Sequence, residues 1–486
     1  MTISAYIRVI DDMPISSPAA HRTRKTRAFS LSRLRFTVTR RHPATAAIGT
    51  HGPPHPPSRT PIPAQRGQHA ARLHGPSHRP ADRTVSTGLP APARKPAAAQ
   101  PRHQGEVKVK LKVSHVALAA ACALSGAHAI AADVVKIGFA APLTGPQSNY
   151  GTDMQKGVQL AIADFNATRP TIGGKPVTFQ LDSQDDQADP RTGTTVAQRL
   201  IDDNVRGVIG HFNSGTSIPA SDLYDRAGLP QISMATSPQY TARGYKTTYR
   251  LLTSDAQAGR IVGTYAVKTL RFKRIAIIDD RTAYGQGIAD EFAKAVEAAG
   301  GTIVKRDFTN DKALDFSAIL TNLKGANPDA IFYGGGDAQS SPMIRKMRQL
   351  GMKSAFVTGE MSRSPTFLKV GGDAAEGAIV YMGGLPKEKM PGFAGYAARY
   401  KARFNEDVIT YSPYSYDGTI ALLTAMKDAN STDPKVYTPY LGKVSIKGVS
   451  APSVAYDAKG DLKDAPVTIY KVEHGAFKPV DTIAGN

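Results

Sequence analysis

Hydroxyl, amide and carboxylate side chains gather where short apolar runs of this chain end. His211-Phe212-Asn213-Ser214-Gly215-Thr216-Ser217 follows one such run and precedes an amphipathic stretch. Free amides at a helix N-terminus attract an anion, and Ser or Thr hydroxyls add donors. Local sequence alone favours an ordinary capped turn there, with Ser217 as N-cap. Met234-Ala235-Thr236-Ser237-Pro238 places a second hydroxyl, Thr236, at a strand end, and Pro238 suits a first helical turn. Gly334-Gly335-Gly336-Asp337-Ala338-Gln339 permits close backbone approach but is no G-x-G-x-x-G fingerprint. Thr358-Gly359-Glu360-Met361 puts a carboxylate at a strand end, able to hold an ammonium group or to lie solvated in a loop.

These clusters depend on the elements between them. Val134–Phe139 reads as a strand, and Gly151–Asn166 as a helix with Met154, Val158, Ala161, Ile162 and Phe165 at spacings of three and four. Strands over 177–182, 205–210 and 230–233 alternate with helices over 192–203 and 217–227. A second series follows, with strands over 274–279, 302–308, 330–333 and 355–358 and helices over 285–299, 316–324 and 341–350. Helices over 392–404 and 414–429 and strands over 453–456 and 467–472 complete the chain. Such alternation predicts parallel sheets covered by helices, arranged as two similar lobes. Ligands of open α/β sheets bind beyond the carboxyl ends of the strands, where all four clusters fall.

No G-x-S-x-G, Walker A or H-E-x-x-H pattern occurs. Beyond residue 106 the histidines are His115, His128, His211 and His474. A secreted hydrolase or a nucleotide-dependent enzyme therefore lacks its usual residues. No metal ligand set and no cofactor is expected.

Residues 107–132 read as a secretory signal peptide. Lys108, Lys110 and Lys112 precede the apolar run Val116–Leu124, and Ala127–Ala131 offers small-residue cleavage sites. The run is shorter than the roughly 20 apolar residues a membrane-spanning helix needs. The predicted location is the periplasm. Cys122, the only cysteine, lies inside this signal, so the mature chain has no disulfide unless Cys122 is retained as a lipidated N-terminus. Residues 1–106 carry 17 Lys and Arg against 4 acidic residues, are rich in Pro, His and Ala, and have almost no amphipathic period. They read either as a basic arm for nucleic acid or as sequence upstream of a true start near Val107 or Val109. The second reading is favoured, because a signal must stand at the N-terminus to work. The mature part holds 41 Lys and Arg against 36 acidic residues, and no nucleic-acid partner is expected of it.

Residues 133–486 resemble the periplasmic Leu/Ile/Val-type amino-acid-binding proteins that serve ABC importers. The likeness rests on Ala141-Pro142-Leu143-Thr144-Gly145-Pro146, Tyr150-Gly151, Gly157–Ala161, Val208-Ile209-Gly210-His211 and Thr241–Tyr245. Tyr284-Gly285-Gln286-Gly287, Asp315-Phe316-Ser317, Tyr333-Gly334-Gly335 and Gly460-Asp461-Leu462-Lys463 add to it. The resemblance implies an α/β fold, type I periplasmic binding protein, with two Rossmann-like lobes joined by three hinge crossovers near Leu252, Val380 and Tyr456. Lobe 1 would be 133–252 plus 381–456, and lobe 2 would be 253–380 plus 457–486. Carried over, the ligand carboxylate falls to Ser214 and Thr236, and the ammonium to Glu360 and the carbonyl of Met234. Tyr150 and Tyr411 line the side-chain pocket or pack in the core. Asn213 adjoins the site. Gly336 stands where the family places a tyrosine, and Asp337 follows it, which leaves the side-chain preference open. The implied protein captures an amino acid, branched-chain or otherwise apolar, by hinge closure. It then delivers the ligand, as a monomer, to the membrane permease of an ABC transporter. A sensory protein of this fold, or a binder of amides or small carboxylates, is the alternative.

Overall fold

The computed structural model describes residues 132–485. The signal-peptide segment up to residue 131, Cys122 and the basic stretch lie outside these residues. Two open sheets follow one another along the chain. In the first, β1 (Asp133–Ala141), β3 (Lys175–Asp185), β4 (Val208–Gly210), β5 (Gln231–Ser233) and β6 (Thr248–Arg250) run parallel in the order β3-β1-β4-β5-β6. The short β2 (Thr171–Ile172) extends the β3 edge antiparallel. In the second, β7 (Arg274–Asp279), β8 (Thr302–Phe308), β9 (Ala330–Gly334), β10 (Ala355–Thr358) and β11 (Ile379–Gly383) repeat that plan in the order β8-β7-β9-β10-β11. β12 (Ser445–Ile446) and β13 (Val454–Ala455) pair with each other antiparallel, and β14 (Val467–Glu473) and β15 (Ala476–Ile483) then add to β11 as an antiparallel hairpin. Each sheet therefore has a switch in strand order, beside β1 and beside β7, and crevices open there at the strand ends.

The strands read as unbroken apolar runs because both faces are covered. Ile137, Phe139, Ile275, Ile277 and Phe332 are fully buried. Helix α1 (Ser148–Ala167) buries Tyr150, Met154, Val158, Ala161, Ile162 and Phe165 along one stripe. Helices α2 (Pro190–Asp202) and α3 (Ser214–Ala227) cover the other face of the first sheet, over Val196, Leu200, Val208 and Tyr224. After the very short α4 (Gln239–Ala242), α5 (Asp255–Lys268) lies close against α6 (Ala283–Ala298). A Cβ on Gly259 would sit 2.6 Å from Glu291 Cβ, and one on Gly263 2.7 Å from Ala295 Cβ, so only glycine allows that approach. α7 (Ser317–Gly325), α8 (Asp337–Gln349) and α9 (Pro365–Gly371) complete the second lobe. After β11 the chain returns to the first lobe through α10 (Phe393–Phe404), α11 (Ser412–Asp428) and α12 (Pro434–Leu441), with α11 packed along α1.

The α/β fold with two doubly wound lobes is the predicted one, but several boundaries differ. Residues 381–383, expected in the first lobe, end β11, which stays paired to β14 through Gly383. Residues 457–461, expected in the second lobe, bond back to the first: the Arg250 N–H donates to the Gly460 carbonyl at 2.9 Å. α3 begins at Ser214, not Ser217, and α8 at Asp337, not Ser341, with Pro342 tolerated inside it. Among the described residues no helix is long and apolar enough to cross a membrane.

Candidate functional site

The ends of β4 and β5 face the end of β10 across a narrow cavity. Asn213, Ser214, Met234, Thr236, Glu360 and Tyr411, all expected from sequence, line it. Phe212, Leu252, Tyr284 and Met361 complete the wall.

The first-lobe side is built from backbone. α3 opens on Ser214, and no side chain caps its N-terminus; Asn213 occupies the N-cap position in an extended conformation. Ser217, the expected cap, turns back to donate to the Asn213 carbonyl at 2.8 Å. The N-terminus of this 14-residue helix, with its partial positive charge, therefore lies at the cavity without a side-chain cap. Ser214 Oγ accepts the Ser237 N–H at 3.3 Å and so ties this helix to the Thr236 loop. Buried Arg250 fixes that loop from behind. Its guanidinium donates to the carbonyls of Ala235 and Ser237 on either side of Thr236, to Thr241 Oγ1 at 2.9 Å and to Asp461 Oδ1 at 2.8 Å. His211, next to Phe212, is occupied elsewhere: its Nδ1 lies 2.7 Å from Asp186 Oδ2 and its Nε2 3.2 Å from the Tyr224 hydroxyl, all buried.

The apolar flank is aromatic. Phe212 and Tyr411 meet edge to face with ring centroids 5.0 Å apart, and Tyr150 packs on both at 5.4 Å. Asp153 holds Tyr411 in place by accepting the N–H groups of Thr410, Tyr411 and Ser412 at 2.9, 2.7 and 3.0 Å, just where α11 begins. Tyr150 is not on the cavity wall. Its hydroxyl crosses to the second lobe and donates to the Met361 carbonyl at 2.7 Å. Asp337 is also off the wall: it opens α8 and accepts from Ser364 Oγ at 2.5 Å, beside Tyr150. Its carboxylate therefore belongs to the contact between lobes.

The second-lobe side carries the negative charge. Glu360 starts a 3-10 turn directly after β10. Thr358 Oγ1 and Ser340 Oγ hold that turn through Ser362 Oγ at 2.9 and 2.8 Å. Tyr284, in the first turn of α6, and Tyr381, on β11, bring their hydroxyls to Gly359: a Cβ there would lie 2.2 and 3.0 Å from them. Only glycine can precede Glu360 in this arrangement. Burial raises the Glu360 carboxyl above its usual range, opposed by its own backbone N–H and by the Tyr381 and Tyr284 hydroxyls. Asn213 Oδ1 and the Tyr411 hydroxyl, both on the cavity wall, have no hydrogen-bond partner in the protein. Two buried polar atoms on one small cavity point to a polar guest, because such atoms are ordinarily satisfied.

A larger space lies where the chain crosses between lobes, walled by Leu251, Leu252, Leu385, Pro452 and Pro466 together with Thr253, Lys463 and Asp464. None of Ser214, Thr236 and Glu360 reaches it, so the smaller cavity at the strand ends is the better candidate.

A family model described as periplasmic binding protein matches residues 134–476. The chain belongs to the periplasmic binding protein family. This binding protein is 35% identical over 369 residues to Leu/Ile/Val-binding protein homolog 1 of Brucella suis biovar 1, spanning 76% of this chain and 97% of that one. It is 30% identical over 361 residues to a leucine-, isoleucine-, valine-, threonine- and alanine-binding protein of Pseudomonas aeruginosa, spanning 73% of this chain and 94% of the other. The crystal structure of a leucine-binding protein from Thermotoga maritima superposes with a TM-score of 0.66 at 26% identity, covering 72% of this chain and 98% of that one. An ABC transporter substrate-binding protein from Desulfitobacterium hafniense, in complex with leucine, superposes at 0.60 with 25% identity, covering 72% and 100%. The branched-chain-type resemblance and the type I binding-protein fold hold for this chain.

Tyr284, Tyr381, Phe212, Leu252 and Met361 were not predicted as site residues. Tyr284-Gly285 stands out in the sequence as a motif, but nothing local places it opposite Thr236. Tyr381 lies in an apolar strand and reads as core.

Proposed function

We propose that this binding protein captures a free amino acid with an apolar side chain, branched-chain ones foremost, outside the cytoplasm and delivers it to the permease of an ABC importer. One observation carries the reading. An uncapped helix N-terminus with the Ser214 and Thr236 hydroxyls faces a buried carboxylate, Glu360, across a narrow cavity with an aromatic flank. That arrangement complements a zwitterion: carboxylate to the first lobe, ammonium to Glu360 and the Met234 carbonyl, side chain toward Phe212 and Tyr411. Names of relatives that bind leucine, isoleucine and valine support it. Neither lobe satisfies both charges alone, so binding favours the closed arrangement, and the crossings near 252, after 383 and around 462 act as the hinge. The chain acts as a monomer, without cofactor, metal or nucleic acid, and reaches the periplasm through the signal at 107–132. A thermal-shift screen of amino acids and small organic acids tests the proposal, since a tight ligand raises Tm by mass action. Leucine, isoleucine or valine should give the largest shift; a shift confined to benzoate-like acids would overturn it.

A further inference from the structure

Asp255, the first residue of α5, stands directly behind the cavity. Its N–H donates to the Thr236 carbonyl at 2.8 Å, which places it against a wall residue. It is fully buried, and its carboxylate has only the Thr236 hydroxyl beside it. The charged groups around it are Glu360, Glu291 and Arg250, and the Tyr284 and Tyr381 hydroxyls also lie within its reach. Arg250, the one cation among them, spends its donors on Asp461, Thr241 and two carbonyls. Two buried carboxylates with no cation between them cannot both ionise. Glu360 has two tyrosine hydroxyls and its own N–H to support a charge, whereas Asp255 has only the Thr236 hydroxyl.

We propose that Asp255 is a neutral carboxylic acid that leaves Glu360 as the single negative charge of this end of the site. Asp255 thereby sets the charge the site matches: one ammonium, not two. The inference rests on the amino-acid reading for its ligand but not for its chemistry. Burial and the neighbouring Glu360 charge both raise the Asp255 carboxyl well above its usual value, in agreement with a retained proton. When a zwitterion binds, Glu360 meets the ammonium, Asp255 keeps its proton, and none is released.

Infrared difference spectroscopy tests this on the ligand-free protein near neutral pH. The wild type should show the C=O stretch of a protonated carboxyl group that Asp255→Asn lacks and Glu360→Gln retains. A wild-type spectrum without that band overturns the proposal whether or not any amino acid binds. Should Asp255→Asn fail to fold, calorimetry of wild-type protein with leucine in phosphate and in imidazole buffer decides. Equal heats after correction for leucine dilution are what an Asp255 proton retained through binding predicts; release of about one proton means that Asp255 ionises when the ligand binds, and contradicts it. A band present without any leucine heat would leave the paired carboxylates standing and remove the amino-acid reading instead.

Discussion

On the proposed reading, Glu360 and Ser214 divide the two charges of a zwitterion between them, and they do so unequally. A carboxylate opposite a buried ammonium is one half of a desolvated ion pair, while Ser214 supplies one hydrogen bond beside several backbone amides. Glu360→Gln keeps the shape and removes the counter-charge, so the affinity for leucine should fall by about 2–5 kcal/mol, roughly 30- to several-thousand-fold. Ser214→Ala should cost about 1.5–3 kcal/mol, the usual range for a hydrogen bond to a charged group. Titration calorimetry of both variants checks the order. Equal losses would mean that the uncapped α3 amides contribute little and that Ser214 alone holds the carboxylate.

Elements position these residues, and buried acids in turn position the elements. Asp153 organises the start of α11, and Asp417, within α11, accepts the N–H groups of Val449 and Ser450 at 2.7 and 2.8 Å. Burial pushes the Asp417 carboxyl up to about 6, against the pull of those bonds. Its folded value exceeds its unfolded one, so the folded state binds the proton more tightly. The stability this gives is fully present below about pH 4 and is lost as the pH rises through 6. Asp417→Asn should therefore flatten the decline of Tm between pH 4 and pH 7; an unchanged slope would show that Asp417 does not titrate there. Which elements the sequence reveals follows the same physics. β7 and β10 carry their expected bounds because an apolar run ends in polar or glycine residues on both sides. β6 escapes notice because Thr248-Tyr249-Arg250 is three residues long and ends in an arginine that is buried only by its partners. α5 hides because Gly259 and Gly263 lower helix propensity locally while making its contact with α6 possible. The candidate site was readable where polar loops follow strands, as at Ser214, Thr236 and Glu360. It was not readable where side chains converge from distant elements, as Tyr284, Tyr381 and Asp255 do.

Across the whole molecule, the cavity is shared between lobes that touch through few polar bonds, such as Tyr150 to the Met361 carbonyl and Thr410 Oγ1 to the Arg363 carbonyl at 3.3 Å. The proposed bridging of a ligand between lobes predicts an open–closed equilibrium biased by that ligand. Small-angle scattering should give a smaller radius of gyration with saturating leucine than without; identical profiles would mean a rigid molecule. The working form should also lack everything before the signal. Mass spectrometry of the secreted protein should find its N-terminus between Ile130 and Asp133, and peptides from residues 1–100 or a lipid on Cys122 would contradict this. The central claim is that the cleft recognises a zwitterion by bridging it between lobes. Titration calorimetry of the wild-type protein with leucine and with 4-methylpentanoate, the same skeleton without its ammonium, tests that most directly. Leucine should bind one to one, with the acid weaker by at least about 30-fold, the low end for leaving a buried charge unpaired. Equal affinity for the two would mean that Glu360 holds no ammonium, and the account would be wrong at its centre.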